Sequence, residues 1–446
     1  MKVSLIGCGP GGRGAFTDEA LSAIGSAQAV LGPERLLNVL AGIPGEKEEG
    51  TAAVYPVKTY TEDALNLLRR LAAAGDVSSA CVLYSGDSGF YSGAGRLCIL
   101  LDRLTAEESF ETEILPGLSS ASYFAGKLKE SWQDWRLLSS HGRFLNIRKE
   151  VCLGKPVFVL TGGIENGLKL CYELIETGLS DLPAAIGYDL SYEDESVEKD
   201  SVWQIAERLK ELKKRIPVFR DEKNGENAGL LVMLFYPAPH KSYPNAGIPD
   251  REFIRGNRPM TKREVRALAM AKLQPAETDV VLDIGAGTGG MSIELAMYAD
   301  LVYAVEKEEE GIRLLLENKE KFGAWNLLPF KERAPEVFYG ALRERLKNVN
   351  AVFIGGSDGS LSPILGALFA MAPDARICLT AITIETLQEA VSVLSGAGYE
   401  TDITLVSVSR SVKAGEKHLM KAENPVYLIF ALPPGRTISA DPALLG

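Results

Sequence analysis

Histidine is scarce in this chain of 446 residues: only His141, His240 and His418 occur, and none lies near another. The six cysteines (Cys8, Cys81, Cys98, Cys152, Cys171 and Cys378) are equally scattered and form no C-x-x-C pair. That dispersion argues against both a zinc site and a disulfide framework. Most of the cysteines sit in apolar runs, as small core residues do. Long apolar stretches are missing too: LLVMLFY at 230–236 falls far short of the roughly 20 residues that span a bilayer. The opening MKVSLIGCGPGG lacks the h-region and cleavage site of a secretory leader. A cytoplasmic protein without a membrane segment is expected. Positive charge is also in deficit, 48 Lys and Arg against 59 Asp and Glu for a net charge of −11. A protein that coats nucleic acid needs a basic surface, so a small-molecule partner is expected instead. No Cys/His pattern marks a covalent nucleophile.

What is present is the makeup of a globular protein, 46% hydrophobic and 24% charged, with a length that suits two or three domains. PAPHKSYPNAGIPD, following the apolar run at 230–236, is the most linker-like segment. The reading is therefore a domain over 1–237, a linker over 238–247 and a second domain over 248–446. Beyond the linker, strand-like DVVLDIG, LVYAVEK, NAVFIGG and RICLTAIT alternate with helical MSIELAMYA and GIRLLLENKEKFG. Such alternation predicts βαβ units and a mostly parallel sheet. Before the linker the pattern is also α/β, and two groups of strands predict two lobes meeting near Gly117.

Residues 279–290 read DVVLDIGAGTGG, a strand running into a glycine turn (Gly285, Gly287, Gly289, Gly290) that opens a helix. Glycines there let backbone pass close to a ligand. The strand carries Asp283 ahead of the turn, and the next strand ends in Glu306, suited to ribose hydroxyls. An acid beside the turn repels a pyrophosphate but not the cationic methionyl part of S-adenosylmethionine (SAM), which favours SAM over NAD.

The segments GIPDREFIRGNRPMTKREVRAL, VVLDIGAGTGG, AVFIGGSDG, ITIETL and SVSRS together resemble the C15-methylating, decarboxylating methyltransferases of cobalamin biosynthesis, over nearly all of residues 247–430. The resemblance implies a Rossmann-like class I SAM methyltransferase fold. It places two turns in the active site. One holds Pro259 and Met260 as substrate contacts with Thr261 and Lys262 as catalytic candidates; the other holds Gly355 and Gly356 at the cofactor with Ser357 at the substrate. Arg333 stands where the family has an acid near the adenine.

At the other end, G-C-G-P-G-G follows the strand KVSLI, but no acid closes the second strand, which runs into Gly32 and Pro33. A dinucleotide fingerprint is thus poorly matched. YSGDSGFYSG at 84–93 and ILPGLSSAS at 114–122 supply two more glycine loops at strand ends. Together these resemble the tetrapyrrole methylases, in particular their C5-methylating members, over roughly residues 1–237. That family's two-lobed fold implies SAM bound between lobes, with Gly9, Pro10, Gly11, Gly86, Asp87 and Phe90 at the cofactor. It also implies His141 and Arg143 of LLSSHGR beside the substrate, as catalytic candidates.

The two resemblances imply methylation of a precorrin or cobalt-precorrin at C5 and C15, with loss of the C12 acetate carboxyl. An RNA or another small molecule is the alternative acceptor. Arg251, Arg255, Arg258, Lys262, Arg263 and Arg266 offer cations to the carboxylates of such a substrate, although a solvated helix start would have the same composition. Arg255 and Arg258 are the substrate-binding candidates among them. Both resemblances also imply self-association.

Overall fold

The computed structural model describes residues 1–41, 52–57, 61–104, 110–215, 230–239, 246–256 and 258–436. His240 and most of the segment read as a linker lie outside the described residues. The chain divides into two compact units. The first comprises Met1–Leu145, Lys155–Ile175 and Ser180–Tyr236; the second comprises Asn146–Gly154, Glu176–Leu179 and Pro237–Gly446. The two short segments that group with the second unit are not anticipated by a linear division at 237.

Within the first unit, β1 (Lys2–Gly7), β2 (Ala29–Gly32), β3 (Ala53–Pro56), β4 (Ser79–Tyr84) and β5 (Glu111–Leu115) form one sheet in the order β3-β2-β4-β1-β5, with every pairing parallel. Residues Val3 to Gly7 are all buried, as expected of a parallel strand covered on both faces. A second sheet holds β6 (Arg136–Ser139), β7 (Val157–Leu160), β8 (Pro183–Tyr188), β9 (Ser196–Ser201) and β10 (Leu231–Phe235), in the order β6-β7-β10-β8-β9. It is mixed: only β6 and β7 run parallel. The chain passes between the sheets around Gly117, into the helix Ser120–Leu128, whose start is capped by the Ser119 hydroxyl accepting from the Ser122 N–H. That helix sends Ala121, Phe124 and Ala125 into a core with Trp135 and Phe158.

The second unit is built on β11 (Val280–Ile284), β12 (Leu301–Val305), β13 (Leu327–Phe330), β14 (Ala351–Ile354), β15 (Arg376–Ala381), β16 (Glu400–Val406) and, after a separate hairpin of β17 (Ser409–Ala414) and β18 (Lys417–Ala422), β19 (Val426–Leu432). These seven strands order β13-β12-β11-β14-β15-β19-β16, and β19 alone runs against its neighbours. Chain order reverses between β11 and β14, the switch point where open α/β sheets bind ligands. Helices cover both faces, so cores of Leu282, Ile354 and Leu379 on one side and Val281, Phe353 and Cys378 on the other are sealed from water. Among the described residues no helix is long and apolar enough to cross a membrane, and no cluster of His, Cys, Asp and Glu could hold a metal ion.

The segment leading into this unit is anchored by a buried ion pair. Arg266 and Glu294 are both fully buried, and Arg266 Nε donates to Glu294 Oε1 at 2.8 Å. Glu294 also accepts from the backbone N–H groups of Gly247 (2.8 Å) and Ile248 (3.0 Å). Arg266 donates onward to Asp250 (2.9 Å), to the Thr261 carbonyl (2.6 Å) and to the Ile248 carbonyl. Breaking one end of such a pair strands the other charge, at a cost of roughly 3–5 kcal/mol. Arg266→Ala is thus expected to lower the unfolding free energy of the second unit by that amount. The double change Arg266→Met with Glu294→Gln recovers part of the loss in a urea titration, because no charge remains at Glu294, while the Ile248 and Thr261 carbonyls still lack their donor.

Candidate active site

In the first unit three glycine loops converge at the carboxyl ends of β1, β4 and β5. Gly9 and Gly86 exchange backbone hydrogen bonds, Gly9 N–H to Gly86 O at 3.1 Å and the reverse at 2.6 Å. A Cβ on Gly7 would lie 2.6 Å from the Gly117 nitrogen and 2.9 Å from both Gly86 O and Ser88 N. Only glycine permits that approach. The second lobe reaches the same place: Gly12 N–H donates to Ser191 Oγ at 2.7 Å, and Tyr192, whose hydroxyl accepts from Arg35 at 3.1 Å, packs on Gly11. Asp87 is occupied in its own loop, accepting from the Gly89 N–H. Phe90 leans on the second-lobe core, its ring 6.3 Å from that of Phe158.

His141 and Arg143 are exposed. The His141 ring lies against the turn after β7, its Nδ1 2.2 Å from where a Cβ on Gly162 would stand. Arg143 stacks its guanidinium 5.4 Å above the ring of Tyr91, whose hydroxyl donates to the Leu137 carbonyl in β6. Arg143 is therefore joined to the 84–93 loop, and His141 to Thr161-Gly162-Gly163, a fourth glycine turn at a strand end.

The second unit holds a cavity of about 1060 Å³ at the switch point. It brings together Asp283, Gly285, Gly287, Glu306, Gly355, Gly356 and Ser357 with Arg258, Pro259, Met260, Thr261 and Lys262. Two candidates fall outside the lining: Arg255 is exposed, and Gly289 is buried at the N-cap of the helix Gly290–Ala296, with φ +82°. Arg266 is corrected as well, since burial against Glu294 and Asp250 makes it a structural cation that no substrate carboxylate can reach. Arg251 is exposed and pairs with Glu252.

Asp283 is the penultimate residue of β11, with its carboxyl fully enclosed. The Ser292 hydroxyl donates to one oxygen, and the other, Oδ1, has no partner. Burial raises this carboxyl to about 7, opposed by the Ser292 hydrogen bond and reinforced by the nearby Glu306 charge. Glu306 accepts from the N–H groups of Gly287 and Glu308, both at 2.8 Å, and stands 3.6 Å from Arg258. A Cβ on Gly285 would meet the Gly356 oxygen at 2.7 Å, so the two turns close on each other, while one on Gly287 would lie 3.7 Å from the Pro259 oxygen. Arg333 lines the cavity paired with Asp358 at 3.1 Å, and the carboxylates of Asp358 and the neighbouring Glu332 line the same cavity.

Lining groups not singled out from the sequence include Lys307, paired with Asp358, and Arg410, Val412 and Lys421 of the hairpin. Arg410 bonds Glu423 at 2.9 Å and Glu264 at 2.5 Å. The T-G-G after β7 was readable as a further strand-end glycine loop. Of the hairpin only SVSRS, residues 407–411, entered the reading of the sequence, and the Ser191–Tyr192 contact carried no comparable signal.

A seven-stranded sheet of this order, with a glycine turn, an enclosed acid and a cavity at its switch point, defines a methyltransferase of the α/β class. A model of the precorrin methyltransferase domain matches residues 252–431, and one of the tetrapyrrole (corrin/porphyrin) methylases matches residues 2–206. The chain is 34% identical over 192 residues to a protein of Sulfurisphaera tokodaii described as a probable cobalt-precorrin-6B C(15)-methyltransferase (decarboxylating), covering 98% of that relative and 42% of this chain. A protein of the same description from Pyrobaculum calidifontis is 36% identical over 194 residues, with 97% of it and 42% of this chain covered. The crystal structure of a precorrin-6Y C5,15-methyltransferase from Geobacter metallireducens is 34% identical, with a TM-score of 0.40, and is covered in full by 43% of this chain. The chain belongs to the precorrin methyltransferase family.

The raised Asp283 carboxyl gives a sign for stability. Folding holds its proton at pH values where the unfolded chain has released it, so stability declines as pH rises from about 4 toward about 7. Asp283→Asn removes that component, on the order of 4 kcal/mol for a shift of this size. Urea titrations of the two proteins across this range are expected to diverge increasingly with pH.

Proposed function

We propose that the chain methylates a precorrin or cobalt-precorrin twice with SAM as methyl donor, at C5 in the first unit and at C15, with loss of the C12 acetate carboxyl, in the second. The observation that carries this reading is the unpartnered Asp283 oxygen beside the Gly285–Gly287 turn, a pairing of acid and close backbone that suits a cationic donor. The family match supplies the acceptor. A cytoplasmic location and self-association belong to the same proposal.

In the second unit Asp283 would face the methionyl end of SAM. Glu306 has lone pairs left for ribose hydroxyls, and Gly285, Gly287, Gly355 and Gly356 leave room for the cofactor's length. In the first unit the loops at Gly9–Gly11 and Gly86–Phe90 would hold SAM, with His141 and Arg143 at the acceptor. SAM supplies an electrophilic methyl group; the protein has to align the acceptor carbon with it and exclude water. Alignment contributes on the order of 7–11 kcal/mol in the best intramolecular cases. Reduced tetrapyrroles have electron-rich meso carbons, so no protein nucleophile is needed. Loss of carbon dioxide leaves an electron pair that the conjugated macrocycle takes up. Thr261, whose carbonyl is held by Arg266, and Lys262 stand where that carboxylate would lie.

Purified chain incubated with SAM and the reduced tetrapyrrole, with and without cobalt, should yield a product with two added methyl groups and one carbon dioxide lost, followed by mass. Asp283→Asn or Gly287→Val should remove the C15 methylation and the decarboxylation and leave the C5 methyl. Loss of all three changes would contradict separate sites, and methylation of RNA in place of the tetrapyrrole would overturn the acceptor. Because a cation favours the ionised form of Asp283, the second unit's SAM affinity should rise from about pH 6 to about pH 8 and be flat in Asp283→Asn.

A further inference from the structure

The hairpin β17–β18 is held by its own ladder, with Arg410 opposite Lys421 and Val412 opposite Leu419. Directly opposed residues of an antiparallel pair share a face, so these four side chains point the same way. Arg410, Val412 and Lys421 line the cavity, which identifies that face as the one turned to it. Two strands alone are marginally stable, and Val412 and Leu419 remain 48% and 61% exposed, so folding gains little from them.

The cations of the cavity differ in what they already hold. Arg258, Lys307, Arg333 and Arg410 each pair with an acid: Glu306, Asp358, Asp358 again, and Glu264 with Glu423. Lys262 and Lys421 line the cavity with no ion pair among the described residues. Lys262 belongs to the turn already discussed. Lys421 is an available ammonium beside two exposed apolar side chains, at the rim of a cavity that closes on Asp283.

We propose that Lys421 binds a peripheral carboxylate of the tetrapyrrole while Val412 and Leu419 carry the apolar face of its macrocycle, which makes the hairpin a determinant of substrate affinity. This rests on the acceptor class proposed above. A flat apolar ring edged with carboxylates is complementary to such a face in both respects: ring against aliphatic carbon, carboxylate against unpaired ammonium. The substrate would lie across the hairpin and reach inward to the turn at Thr261 and Lys262. Arg410, neutralised by Glu264 and Glu423, serves to fix the base of the hairpin.

The test is a fluorescence titration of the full chain with uroporphyrin, a planar tetrapyrrole polycarboxylate, at two salt concentrations. Lys421→Met is expected to weaken binding about tenfold, as loss of one charge-assisted hydrogen bond does, and to reduce its salt dependence. Lys421→Arg should bind as the unaltered chain does, and Leu419→Ser should weaken binding without changing the salt dependence. Equal affinity in Lys421→Met, or no porphyrin binding by the unaltered chain, overturns the proposal. So does a loss of affinity that follows a change in mass on gel filtration, which would make the hairpin a contact between copies. If porphyrin binding and its Lys421 dependence hold while no methyl is transferred to a precorrin, the acceptor assignment fails and this one stands.

Discussion

The pairing of Arg266 with Glu294 is the constraint on which the cavity of the second unit depends. Residues 247–256 and 258–262 have little regular structure, so their backbone groups lack the partners that a helix or strand would supply, and buried backbone groups left unpaired are costly. One carboxylate takes two of those N–H groups and one guanidinium takes two carbonyls, those of Ile248 and Thr261. Apolar residues of equal volume would pack as well and satisfy none of them. The planar fork of arginine, which donates in several fixed directions, is what allows a single side chain to locate the whole turn. Lys262 and Met260 come to the cavity because the backbone beneath them is tied down.

The first unit reaches a comparable end by steric means. Its loops come together because Gly7 and Gly117 have no Cβ, and a second-lobe hydroxyl, Ser191, completes the bonding of the Gly12 N–H. Closeness of backbone does there what charge does in the second unit. The two arrangements have different weaknesses: the first fails to any added carbon atom, the second to the loss of either partner.

Much of this was readable from residue order. Glycine turns after buried strands announce themselves, since a run such as DVVLDIG has few other uses, and all the strands read beyond the linker are present. Side-chain direction was not readable. Arg266 stood in the sequence among five other cations, and only the placement of the helix Arg263–Leu273, which buries Val265, Ala269, Met270 and Leu273 beside it, turns it inward. Arg255, three residues from Arg258, looks equivalent on paper and lies outside the cavity. The hairpin was the least legible element. Both of its faces are exposed, so it lacks the apolar alternation by which a half-buried strand is recognised. Contacts between lobes, such as Gly12 with Ser191, join residues 179 positions apart and leave no local trace.

The enclosed carboxyl of Asp283 also bears on how ligand binding would look in a calorimeter. Near neutral pH this group is divided between its two protonation states. A cation settling beside Oδ1 would draw it to the ionised state, and the displaced proton would pass to the buffer. The heat of association would then contain the buffer's own enthalpy of protonation and would change between phosphate and Tris at one pH. A neutral ligand of the same shape would leave the proton in place. The second unit would in this way distinguish a charged occupant from its uncharged analogue by proton release as well as by affinity.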